Sequence, residues 1–387
     1  MARRVAVVAT GQTECKTRYT DMNFPGLVHL AVKRALQDAD LTLKDIDAVV
    51  FGSSPEYFEG VNQPELWCGE YAGALGKPYF RVHTGGTVGA STGMAAFYKV
   101  ASGMFDTVLA VTSDKLSEGP PQLGLSTVYD PIFGRQFACG APSAVAIQSR
   151  WYMHKSGATL EHAAKIAVKN RLNALNNPYA HLKIPNITVE MVMNSPMIST
   201  PLRMLDVCPA SDGACAMIFA AEEKVAAITK TPAWVKGVSA VSEGVGYVNR
   251  DWAVPIALNK AAKKAYAQAG ISNPRRELDV VELYEAFSPQ EMIWSEGMFF
   301  CNENEGWKLV EEGATQMTGD LPINPSGGVL STNTIGATAM MRQCEAALQV
   351  MGKADKRQVD GVKTALAHGW GGGIQFHTVM ILGKEPN

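Results

Sequence analysis

The stretch RVHTGGTVGASTGMAAFYKVASGMFDTVLAVTSD, Arg81–Asp114, decides the fold. It opens as a short strand, bends through glycines, runs as a small-residue helix from about Val88 to Ala101, and returns as an apolar strand over 107–114. Apolar strands joined through a helix of this length are buried on both faces, so the unit reads as part of a parallel α/β sheet. Its turn has the grammar of a reactive loop. Yet Gly85, Gly86 and Thr87 stand where a nucleophile would be sought.

The same alternation extends in both directions. Upstream come strands RVAVVAT (4–10) and DAVVFG (47–52), with helices expected near Phe24–Asp38 and Pro64–Leu75. After Pro232 the order repeats: AWVKGVSAV (233–241), a helix over 257–270, LDVVELYEAF (278–287) as a strand, and a helix from Gln290 to Phe299. The chain closes with a helix from Ile335 to Met351 and the strands VKTALAHG (362–369) and FHTVMILG (376–383). Between the two series lie irregular segments such as SEGPPQLGLSTVYDPIFGRQ, the kind of loop that carries binding function. We therefore expect a first half at 1–114 plus 204–232, an inserted loop domain at 115–203, and a second half at 233–387.

Composition narrows the function classes. With 47% hydrophobic residues and a formal net charge of −2, the chain can bury a large core and has no electrostatic basis for gripping nucleic acid. The apolar run in MARRVAVVATGQ is too short for a signal-peptide core or a membrane span, so a cytoplasmic protein is expected. Seven scattered cysteines without CxxC or Cys/His spacing predict neither a disulfide framework nor a metal in this chain.

Six ordered segments resemble the thiolase superfamily, in its sterol-carrier-protein-x or lipid-transfer-protein thiolase-like branch. They are the opening stretch, RWYMHKSGATLEHAAKIAVKNRLNALNNPYAH, LDVCPASDGACAMIFA, VELYEAFSPQE, NPSGGVLSTNTIGATAMM and HGWGGGIQFHTVMIL. The resemblance implies an α/β thiolase fold, duplicated βαβαβαββ halves in a layered α-β-α-β-α arrangement with an inserted loop domain. It also implies an acyl-CoA substrate, coenzyme A entering as part of that substrate and no tightly bound cofactor. For assembly it implies a homodimer, with a small zinc-ribbon and OB-fold (DUF35-like) protein as the partner that would complete a heterotetramer.

The catalytic positions of that family are all altered. The acyl-accepting cysteine falls on Gly86, the second cysteine on Gly369, the GHP histidine nearest Asn333, and the residue before (E/D)AF is Tyr284. Without a thiolate at the turn the usual covalent acyl-enzyme route has no obvious nucleophile. Steroid side-chain aldolases of this branch show a similar tyrosine substitution. The candidate catalytic set is therefore Tyr284 as acid or base, Gly86, Thr87, Asn333, Glu285 and His368. Gly85, with Gly371, Gly372 and Gly373 from the second half, is a candidate for amide contacts to the thioester, and Lys169 and Arg171 for CoA phosphates. His83 and His377 lie near the same turns, Cys139 is a weaker candidate for a displaced nucleophile, and Cys208 and Cys215 read as inert core residues. Three functions stand open: retro-aldol cleavage of a β-hydroxyacyl-CoA, CoA-dependent thiolysis of a β-ketoacyl-CoA that is aromatic or otherwise bulky, and a noncatalytic subunit of an acyltransferase complex.

Overall fold

A computed structural model describes residues 3–54, 60–132, 134–136, 140–244 and 250–387. Its strands are β1 (Val5–Gln12), β2 (Ala48–Gly52), β3 (Tyr79–Val82), β4 (Thr107–Lys115), β5 (Met197–Ser199) and β6 (Leu202–Arg203). They continue with β7 (Asp212–Ala221), β8 (Ala233–Ser242), β9 (Val280–Glu282), β10 (Thr364–Gly371) and β11 (Phe376–Gly383). Nine of them form one sheet in the order β3-β2-β4-β7-β1-β8-β11-β10-β9, and β5 and β6 pair separately.

The pairing is mixed, where alternation alone predicts parallel strands. β2 is parallel to β3 and β4, and β10 to β9, but β7, β1, β8 and β11 all pair antiparallel. For β10 and β11 the cause is local, since they are joined by a tight turn and a tight turn reverses direction. The halves meet through a short β1–β8 contact, Ala6 opposite Trp234 and Val7 opposite Ala233.

Strand periodicity sorts the core into layers. Val8, Val49, Leu109 and Ile218 face Leu27, Ala31 and Ala35 of the outer helix Phe24–Asp38. Val5, Val7, Val50 and Met217 face the other way, meeting Met94 of the helix Val88–Ala101 and Met340, Cys344 and Ala347 of the helix Thr338–Met351. Those two helices form the central layer, and Ala365, Ala367 and Met380 of the second half close over it. Leu366, Val379 and Ile381 point outward to Leu258, Ala261 and Ala265 of the helix Ile256–Ala269. The result is the five-layer α-β-α-β-α order.

Local signals explain the elements read well from sequence. The helix Phe24–Asp38 starts where Asn23 caps the Gly26 amide at 3.0 Å and Pro25 occupies the first turn. Three expectations are shortened by three residues or more. The helix expected from Ile335 begins at Thr338, since Ile335 itself sits at φ +56°. The helix from Pro64 stops at Cys68, after which the chain turns through Gly73 at φ +75°. The strand expected over 278–287 ends at Glu282, because the next backbone amides turn to side chains: Leu283 N–H donates to Asn324 Oδ1 at 2.7 Å and Tyr284 N–H to His368 Nδ1 at 3.4 Å.

Candidate active site

That departure from the sheet builds the site. Leaving β9, Tyr284 enters the space between the turn after β3 and the turn that joins β10 to β11. Gly85, Gly86, Gly371, Gly372, Cys208, Tyr284, Asn333, Ile335 and Trp370 line one pocket with Leu125, Val145, Phe287 and Ile374, enclosing about 920 Å³ with its open mouth included. Its mainly apolar lining with a few convergent polar groups is the character of a small-molecule site.

The two glycine turns touch. A Cβ placed on Gly371 would lie 2.5 Å from the amide nitrogen of Gly86 and 2.6 Å from that of Thr87, so only glycine leaves room in front of these amides. A Cβ on Gly86 would meet the Trp370 carbonyl oxygen at 3.0 Å and the Tyr284 hydroxyl at 3.8 Å. A side chain at position 86 would therefore press on the turn that joins β10 to β11, with the tyrosine hydroxyl in ordinary contact beside it.

Tyr284 is 3% exposed, and burial pushes its phenol well above its ordinary pKa, with the neighbouring Cys208 adding to the effect. Its hydroxyl donates to the Ile335 carbonyl at 3.3 Å, and the Trp370 ring meets it edge-on at 5.7 Å. The Trp370 indole N–H has no partner among the described residues. Asn333 donates from Nδ2 to Cys208 Sγ at 3.1 Å, while its Oδ1 accepts from Ile335 N–H and Thr338 Oγ1, each at 3.0 Å. Burial pushes the Cys208 thiol up to about 12, so it is protonated at neutral pH.

Several expected site residues are placed elsewhere. The Thr87 hydroxyl is bound to Thr84, at 2.9 Å to Oγ1 and 3.1 Å to the carbonyl, and does not line the pocket. Glu285 points the opposite way from Tyr284, accepting from Asn170 Nδ2 at 2.9 Å, Leu330 N–H at 3.3 Å and Asn324 Nδ2. His368 lies behind Tyr284, 3.1 Å from His377 and stacked on it, and burial holds both imidazoles neutral by lowering their pKa values. Gly373 turns away, its N–H donating to Gln375 Oε1 at 3.3 Å and its carbonyl accepting from Arg250 at 3.2 Å.

The two cations are corrected outright. Lys169 bonds Glu291 at 2.5 Å and Thr315, and Arg171 donates to the carbonyls of Leu330, Leu205 and Val207 at 3.0–3.2 Å. At 4% and 0% exposed, neither reaches a CoA phosphate. His83 is exposed and does not line the pocket, and Cys139 lies outside the described residues.

Cys208, Trp370 and Ile335 belong to the pocket and were not chosen from sequence. A signal existed for the first: Pro209 follows it, which disfavours the interior of a strand, and β7 begins only at Asp212. Among the described residues no group of three or more His, Cys, Asp or Glu side chains is arranged to hold a metal ion, and no helix is long and apolar enough to cross a membrane.

Residues 240–384 match the family model described as thiolase C-terminal domain-like. An acetyl-CoA acetyltransferase of Methanothermobacter thermautotrophicus is 32% identical, over 96% of this chain and 97% of its own. Sterol carrier protein 2 of Bos taurus is 31% identical over 99% of this chain and 73% of its own length. Among solved structures, an Ltp2-ChsH2(DUF35) aldolase superposes with a TM-score of 0.86 at 27% identity, covering 98% of both chains.

Proposed function

The chain belongs to the thiolase superfamily, as an enzyme of acyltransferase or carbon–carbon lyase type, and we propose that it performs retro-aldol cleavage of a β-hydroxyacyl-CoA. The observation that carries this reading is the juxtaposition at Gly86, where a turn without a nucleophilic side chain stands within contact distance of the Tyr284 hydroxyl, 3.8 Å from where a Cβ would sit. The aldolase among the structural relatives supports it.

In this reading the Cα–Cβ bond breaks as the β-hydroxyl loses its proton, giving an aldehyde or ketone and leaving the electron pair on the acyl-CoA as an enolate. The amide of Gly86, with Gly371 giving it room, stabilises the enolate oxygen beside a helix N-terminus. A phenol with a raised pKa is not a resting base. Tyr284 instead relays: its oxygen takes the β-hydroxyl proton while its own proton passes to Cα. One proton has moved from oxygen to carbon, and no acyl-enzyme is needed.

Thiolysis is the competing reading, and Cys208 in the pocket is the observation in its favour. Its raised pKa weighs against a resting thiolate. A homodimeric core and a DUF35-type partner belong to our proposal as well, the latter because the aldolase relative is named with one. The test is mass spectrometry of products from β-hydroxyacyl- and β-ketoacyl-CoA panels, with and without free CoA and a DUF35-type partner. Release of an aldehyde or ketone without added CoA supports retro-aldol cleavage. Two thioesters formed only with CoA would establish thiolysis, and no product under any condition would leave a noncatalytic subunit.

A further inference from the structure

The turn Asn333–Gly336 carries an oddity that the proposed reaction does not by itself explain. Ile335 has φ +56°, a left-handed conformation that β-branched residues adopt only when their surroundings impose it. Its side chain is 6% exposed and packs with Leu116 and Leu125, and its carbonyl is the acceptor of the Tyr284 hydroxyl. Something must hold this backbone.

Asp114, at the end of β4 and fully buried, supplies one anchor. One carboxylate oxygen accepts from Ser54 N–H at 2.8 Å and the other from Gly336 N–H, the residue directly after Ile335. Asn333 supplies the second, its Oδ1 accepting from the Ile335 amide at 3.0 Å. Ile335 is therefore gripped on both sides. The first-half strand β4 and the second-half tyrosine are connected through a single peptide turn.

We infer that Asp114 is a positioning residue for Tyr284: by holding the Gly336 amide it fixes the strained Ile335 carbonyl, which in turn aims the tyrosine hydroxyl toward Gly86. The inference rests on the proposed role of Tyr284 as proton relay. Asp114→Asn isolates the effect, because an asparagine offers one acceptor oxygen to two amides and sets its NH2 against the other. Ile335→Gly reaches the same carbonyl by a second route, since glycine frees the backbone from the imposed conformation.

The experiment places 3-fluorotyrosine at position 284 and records its 19F resonance in the wild-type, Asp114→Asn and Ile335→Gly backgrounds, with kcat and KM measured beside it. We expect one sharp wild-type resonance that shifts or splits in both variants, and a kcat reduced about 10- to 100-fold with KM unchanged. A resonance unmoved in the folded variants, or a loss confined to KM, overturns the inference. The resonance does not depend on the reaction catalysed, so failure of the wild-type protein to cleave a β-hydroxyacyl-CoA would sink the retro-aldol reading alone. Should Asp114→Asn not fold, Ile335→Gly carries the comparison.

Discussion

The pocket and the scaffold directly behind it are built from opposite chemistry. No Asp, Glu, Lys, Arg or His is among the described residues lining the pocket, whose polar groups are the phenols of Tyr129 and Tyr284, a thiol, side-chain amides, an indole and bare peptide units. Behind it the core is crossed by ion pairs: Arg342–Glu282 at 2.5 Å, Lys169–Glu291 at 2.5 Å and Arg357–Glu345 at 2.6 Å, each partner at most 2% exposed by side chain. Tyr284 and Glu285 show the division at a single peptide, one facing the pocket and the other the polar core. The contrast teaches that buried charge here ties the helix Leu160–Asn173 to the helix Pro289–Gly297 and braces the helix Thr338–Met351 against β9 and against the turn that follows that helix, while the proposed chemistry falls to neutral donors and proton relays.

The hardest test of that division is Tyr284→Phe. We expect kcat to fall about a thousandfold while acyl-CoA affinity measured by calorimetry is retained, since the variant keeps the ring and loses only the hydroxyl that relays the proton. Unchanged turnover would remove the tyrosine from the mechanism.

Lys169→Met strikes the scaffold side. It leaves Glu291 buried without its cation, and a broken buried pair costs about 3–5 kcal/mol, readable in urea unfolding. KM for acyl-CoA should not change. A raised KM with stability intact would return Lys169 to the phosphate role first read from its helix.

Glu285 sharpens the comparison through pH. Burial pushes its carboxyl from an ordinary 4.5 up to about 8, so the folded state binds its proton more tightly than the unfolded chain. The stability it contributes is full below about 4.5 and is lost as pH rises through about 8. Denaturation midpoints should decline across that window, and Glu285→Gln should flatten the decline; a parallel slope in the variant would assign it to other groups.

Cys208→Ala is the mildest change. With the thiol protonated and no acyl-enzyme in the proposed route, kcat should stay near wild type in a product assay. Complete loss would favour a thiolate mechanism instead.

How much of this was legible depends on how local each cause is. The helices Phe24–Asp38 and Val88–Ala101 agree with the sequence reading to the residue, since apolar spacing and, for the first, its cap lie within a few positions. The apolar run 278–287 misled, because a buried strand and a buried irregular segment share the same composition. Lys169 and Arg171 misled for another reason. Their partners Glu291 and Leu330 stand 122 and 159 residues away, so nothing in the helix announces that its charged side is covered.

The order of strands and helices, the glycine turn without a nucleophile and the tyrosine before EAF were all determined by the sequence, for these rest on short-range sterics and on residue identity. Tertiary structure alone decided that the Tyr284 hydroxyl comes to the Gly86 turn, that Glu285 turns its back on it, and that Asp114 reaches the peptide after Ile335. Those facts arise where two halves close over a shared central layer. Only that closure removes the water that would otherwise solvate each polar group, and so dictates which partner it must find.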